Sequence, residues 1–120
     1  MKKYILIVGL FLIVLSATAQ KKNAKIEFEV AGVCDMCKER IEKAALTTKG
    51  VKYANWNVQT HMVSLIVDER KTSAKKVQQN IAAVGHSTKE VEAPIEAYNN
   101  LDPCCKYNDE EVVKDHEKNE

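Results

Sequence analysis

Residues 25 to 30 alternate strictly, with Ile26, Phe28 and Val30 on one side and Lys25, Glu27 and Glu29 on the other. A period of two marks a strand with one face buried and the other in water. The period then changes. Cys37, Ile41, Ala44, Ala45 and Thr48 recur at helical spacing, with Lys38, Glu39, Glu42 and Lys43 toward solvent, so a helix is predicted over 35–48. Gly50 is placed to end it. Residues 51–58 and 62–67 read as two more strands joined by Gln59, Thr60 and His61. Val63, Leu65 and Val67 give the second of these an inward face, whereas Tyr53 and Trp56 fall on opposite faces of the first. A second helix begins at Thr72 or Ser73 as N-cap, with Ala74, Val77, Ile81 and Val84 as its expected buried stripe and Gly85 as its stop. A weaker strand, 88–92, runs up to Pro94.

This order predicts an α+β fold, a ferredoxin-like βαββαβ sandwich in which two helices cover one face of a four-stranded antiparallel sheet. It occupies residues 25–93, after a polar lead-in over 20–24. A chain of 120 residues suits one such domain with a small core. Residues 94–107 carry Tyr98, Leu101, Pro103, Cys104, Cys105 and Tyr107 and read as an ordered, cysteine-containing extension. Residues 108–120 are mostly charged apart from Val112 and Val113, and disorder is expected there.

The N-terminus has a different pattern. Lys2 and Lys3 precede an apolar run from Tyr4 to Leu15, and Ala17-Thr18-Ala19 supplies an A-x-A site. These are the three parts of a secretory signal peptide over 1–19, cut after Ala19, with an apolar run too short to span a bilayer comfortably. An uncleaved membrane anchor is the alternative. Export to the periplasm or beyond the cell is therefore expected, with no membrane attachment after cleavage. The whole chain has 18 basic and 17 acidic residues; without Lys2 and Lys3 the balance is 16 to 17, a net charge of about −1. Such a domain has no basic footprint for nucleic acid.

All four cysteines lie beyond residue 19. An even count in an exported protein ordinarily points to disulfides. Cys104 and Cys105, however, are adjacent and bond to each other only with strain, so they bind metal, stay reduced or pair elsewhere. Cys34 and Cys37 form a C-x-x-C where the first strand gives way to the first helix. That spacing lets both sulfurs face one atom, and a helix N-terminus favours thiolate over thiol. Two chemistries fit: a soft metal ion or thiol-disulfide exchange. Exchange enzymes commonly have Trp before the motif and Pro or His within it, and here Ala31-Gly32-Val33 precedes while Asp35-Met36 intervenes. Cu(I) accepts two or three thiolates, whereas structural zinc wants four ligands. Lys38 is either a counter-charge for a bis-thiolate complex or an ordinary exposed helix lysine.

The element order, the C-x-x-C before the first helix, Gly50-Val51 opening the second strand and Ile81 to Gly85 closing the second helix make residues 25–93 resemble the heavy-metal-associated domain. That family includes copper chaperones, N-terminal modules of metal-pumping ATPases and periplasmic mercury-binding proteins. The resemblance implies that Cys34 and Cys37 bind one soft ion, Cu(I) foremost, with mercury, zinc or cadmium as alternatives. It implies a carrier or scavenger rather than an enzyme, whose partner is a metal-transporting ATPase or another metal-binding protein. A thiol-disulfide oxidoreductase is the alternative of another class, and a metal-free interaction module a third. Three departures stand out. Ala31-Gly32-Val33-Cys34 replaces the usual Gly-Met-Thr-Cys, so the methionine that packs beneath the loop is missing, and Met36 is not expected to replace it. His86 stands where an aromatic residue often shields the site; it offers a third ligand or a hydrogen bond, against the plainer reading of a partly exposed loop histidine. Cys104 and Cys105 lie outside the family plan and either fold back to join Cys34 and Cys37, form a second thiol site, or make a disulfide. His61, toward the far end of the sheet, and His116, in the tail, are expected to face solvent.

Overall fold

The computed structural model describes residues 19–118, so the predicted signal peptide lies, but for its last residue, outside the described residues. The chain runs β1 (Ala24–Glu29), α1 (Asp35–Leu46), β2 (Val51–Trp56), β3 (Met62–Val67) and α2 (Ala74–Ala83). It continues through α3 (Ile95–Asn99), a 3-10 turn over Pro103–Cys105 and α4 (Glu110–Glu117). The sheet is antiparallel in the order β1-β3-β2, with Ile26 opposite Leu65 and Phe28 opposite Val63. Alternation in β3 buries Val63, Leu65 and Val67 beneath the helices, where they meet Ile41, Ala44 and Ala45 of α1 and Val77 and Ile81 of α2. Among the described residues no helix is long and apolar enough to cross a membrane.

Two features of the expected sandwich are corrected. The sheet has three strands, not four. Residues 88–92 touch its edge only through a single bridge between Val30 and Thr88. The reason is local hydrogen bonding: the Thr88 amide donates to Val91 O (2.8 Å) and the Val91 amide to Thr88 Oγ1 (3.1 Å), so the segment turns back on itself. Val84 is exposed rather than buried, because it is the C-cap of α2 and has left the helical path (φ −98°, ψ 7°). Gln78 and Ala82 are buried beside Val77 and Ile81 instead. Ser73 is the N-cap, its side chain accepting from the Lys76 amide.

Residues expected to be disordered form α4. Asp109 caps it by accepting from the Glu111 amide (3.0 Å), and Glu110 and Glu111 lie where the helix dipole favours acidic groups. Val112 and Val113 are half-buried against the core, and this apolar pair gives the helix a face to dock. The preceding segment docks more firmly. Leu101 and Cys105 are buried, and the Tyr107 hydroxyl donates to Gly85 O (2.7 Å). Gly85 makes this approach possible: its φ is +108°, and a Cβ there would lie 2.8 Å from Leu101 Cδ2 and 2.9 Å from Ala97 O.

Candidate metal centre

Cys34 is the N-cap of α1, in extended conformation (φ −149°, ψ 175°), and its carbonyl accepts from the Lys38 amide. Helical backbone begins one residue later, so Cys37 stands in the first turn with its side chain fully buried. This strand-to-helix change brings the two sulfurs to 3.4 Å. The space beneath the loop, where the family's methionine is absent, is filled by Trp56. Gly32 allows it, since a Cβ there would meet Trp56 Cζ2 at 2.9 Å and Cys37 Cβ at 3.2 Å. The indole is buried and donates to the carbonyls of Val30 and His61, both at 3.0 Å. His61 stacks on it (5.7 Å between rings), so this histidine is half-buried rather than a solvent residue.

The extension folds back onto the C-x-x-C. Cys105 Sγ is 3.4 Å from Cys34 Sγ, and Cys104 Sγ is 3.9 Å from Cys105 Sγ. The sulfurs of Cys34, Cys104 and Cys105 all lie within 4.8 Å of one another. Cys37 stands outside that group of three, yet it contacts Cys34. All four cysteines are free thiols. Cys104 also donates to Met36 Sδ (3.4 Å), which brings a thioether to the cluster from a residue expected to point elsewhere. His116, expected in solvent, is half-buried with Nε2 2.9 Å from Cys104 O, and so donates to it.

The counter-charge is Arg40, not Lys38. Lys38 Nζ is taken up by Glu42 (2.6 Å), Asn55 Oδ1 (2.9 Å) and Trp56 O (2.9 Å). Arg40, three residues after Cys37 on the same face of α1, donates to Asp102 Oδ2 (3.0 Å), and its guanidinium favours the thiolate of Cys105. His86 steadies it. The ring is fully buried; its Nδ1 lies 2.8 Å from Ala31 O and must donate there, leaving Nε2 to accept from Arg40 Nη1 at 3.4 Å. Burial is the main cause that lowers its pKa from 6.5 to about 4, so the ring is neutral. Both nitrogens are thus engaged, and the hydrogen bond foreseen for this histidine goes to Arg40 rather than to a sulfur.

The thiols differ in acidity. Burial, joined by the neighbouring thiols, raises Cys37 strongly. Burial and then Cys105 push Cys104 up to about 11. Burial also opposes ionisation of Cys105, but the Arg40 guanidinium and the thiols of Cys37, Cys34 and Cys104 outweigh it, and the net shift is downward. Polarisable thiolates and a thioether, some of them half-buried, suit a soft ion better than a hard one.

The model of the heavy-metal-associated domain matches residues 27–87. The chain belongs to the heavy-metal-associated domain family. It is accordingly a heavy-metal-binding domain, of a kind that is generally non-enzymatic. The family match stops before the cysteines of the extension. Among solved structures, the chain is similar to a CopZ metallochaperone (26% identity, TM-score 0.53), with 54% of this chain and 98% of that one covered. It is also similar to the N-terminal domain of a potential copper-translocating P-type ATPase from Bacillus subtilis in the Cu(I)-loaded state (26% identity, TM-score 0.53), covering 56% and 85%. A third is the water-soluble region of the P-type ATPase CopA from Bacillus subtilis (31% identity, TM-score 0.52), covering 58% and 46%. A comparison with curated protein sequences gives no match.

Arg40, Met36 and His116 were not among the residues singled out from the sequence as parts of the site. Only Arg40 left a signal there, its i,i+3 spacing from Cys37.

Proposed function

We propose that this chain is an exported carrier or scavenger of a soft metal ion, Cu(I) foremost, bound by Cys34 and Cys37 with Cys105 as a third ligand. The observation that carries the reading is the meeting of three sulfurs, with Cys34 3.4 Å from both Cys37 and Cys105. Three thiolates suit Cu(I), and the likeness to a copper metallochaperone and to a Cu(I)-loaded ATPase domain supports that ion over mercury, zinc or cadmium. Release is by ligand exchange: a partner's thiolate joins the ion as one of these cysteines leaves, so no bond is lost before another forms. The partner is a metal-transporting ATPase or another metal-binding protein, met outside the cytoplasm after removal of residues 1–19.

Anaerobic titration of the reduced protein with Cu(I), Hg(II) and Zn(II), each against a competing chelator, tests this. Cu(I) is expected to bind tightly, Zn(II) far more weakly, and Cys34→Ser to weaken Cu(I) by at least about tenfold. Absence of Cu(I) binding under reducing conditions would refute the reading. An oxidoreductase needs an accessible low-pKa nucleophile, whereas the thiol whose pKa is lowered, Cys105, is fully buried, so no insulin reduction is expected.

A further inference from the structure

The sulfurs do not surround a single point. Four thiolates at about 2.3 Å from one tetrahedral ion would all stand about 3.8 Å apart. Here Cys34 and Cys105 form a central pair, 3.4 Å apart. Cys37, fully buried, meets Cys34 at 3.4 Å. Cys104 lies 3.9 Å from Cys105 and shares a 4.8 Å group with Cys34 and Cys105, a group that leaves Cys37 out. The sulfur contacts run in a row, Cys37–Cys34–Cys105–Cys104, with Cys34 and Cys105 in the middle.

We propose that the cluster holds two soft monovalent ions, an inner one toward Cys37 and an outer one toward Cys104, with the thiolates of Cys34 and Cys105 bridging them. This rests on the reading of Cys34 and Cys37 as a soft-metal site and adds a second position, which the residues of the extension create. The inner ion is bound by Cys34, Cys37 and Cys105, the last two fully buried. The outer ion is bound by Cys34, Cys104 and Cys105, with Met36 Sδ, 3.4 Å from Cys104, as a thioether donor. Bridging lets four thiolates serve two ions at three thiolates each, a number that Cu(I) accepts and that a hard or strictly tetrahedral ion does not. No electron moves. Each ion displaces thiol protons to solvent, and loading both positions leaves two Cu⁺ on four thiolates, a net charge of −2 that the Arg40 guanidinium partly offsets.

The two positions differ in access. Cys34, Met36 and Cys104 line an open surface cavity of about 420 Å³, together with Val58 and His116. Met36 is 45% exposed. Cys37 does not line that cavity. The outer position is therefore where a donor's thiolate reaches the site, and an ion passes inward by keeping Cys34 and Cys105 while exchanging Cys104 for Cys37. One thiolate changes, two persist and the Met36 thioether is left behind.

The test is Cu(I) loading of the whole reduced protein, read by native mass spectrometry and by competition with a copper(I) chelator. The proteins compared are wild type, Cys104→Ser and Met36→Leu, with folding of each checked by circular dichroism. Wild type is expected to carry two Cu(I) per monomer and to show copper–copper scattering in X-ray absorption. Cys104→Ser is expected to carry one Cu(I) and lose that scattering. Met36→Leu should keep both ions but bind the second about tenfold more weakly. One Cu(I) per wild-type chain, two in Cys104→Ser, or a second ion found only in a dimer would overturn the two-ion site while leaving the carrier reading intact. No Cu(I) at all would overturn the carrier reading itself.

Discussion

His86 shows how a single side chain acts here at one remove. Its ring donates from Nδ1 to Ala31 O and accepts at Nε2 from Arg40, and Arg40 in turn reaches Asp102 and Cys105. The imidazole must stay neutral to accept from a guanidinium. Because its folded pKa of about 4 lies below its ordinary 6.5, the stability linked to neutrality is fully present above pH 6.5 and is lost as pH falls from 6.5 through 4. The shift is worth up to about 3 kcal/mol. Chemical denaturation of the metal-free protein should show a loss of that order between pH 7 and pH 4, and His86→Asn should be less stable at pH 7 with a flatter dependence over that interval. The sequence placed His86 near the cysteine loop, correctly, but its partner is 46 residues away in the chain. A contact of that kind has no period or spacing to betray it.

Among the elements, those governed by a regular alternation of apolar and polar residues were legible. The face of β1, the buried stripe of α1, the inward residues of β3 and the glycine stops all lie where periodicity put them. The missing fourth strand and the added α4 were not. Residues 88–92 have strand-like composition, yet Thr88 and Val91 spend their hydrogen bonds on each other. The charged tail lacks the burial that would hold a helix alone; it forms because Val112 and Val113 have a core to meet. The segment that leads into α4 docks through the close approach of Ala97 and Leu101 that Gly85 permits. Gly85→Ala introduces a side chain at φ +108° and into Leu101. The expected cost is about 1–3 kcal/mol, seen in denaturant melts, with faster proteolysis within residues 94–118 than in wild type.

At the scale of the whole molecule, the candidate site is a seam. Cys34 and Cys37 belong to the part matched by the family, and Cys104 and Cys105 to the part beyond it. The C-x-x-C was legible as a metal site from its spacing and its position before a helix. That the tail cysteines join it was only one of several open readings, because adjacent cysteines in a sequence carry no information about what they face. An ion bound by both parts ties them together. Binding to the folded form alone adds stability of RT ln(1 + [L]/Kd), so Cu(I) loading should slow protease cleavage within residues 94–118 and raise the melting temperature. Cys105→Ser should abolish most of the protection from proteolysis.

The indole beneath the cysteine loop has a practical consequence. Trp56 is the sole tryptophan of the chain, and its ring packs against Gly32, beside Cys37. Its fluorescence therefore has one origin, next to the inner sulfurs. Loading can be followed in unlabelled protein by the emission of this one residue, and a cargo held elsewhere on the surface would leave that emission unchanged.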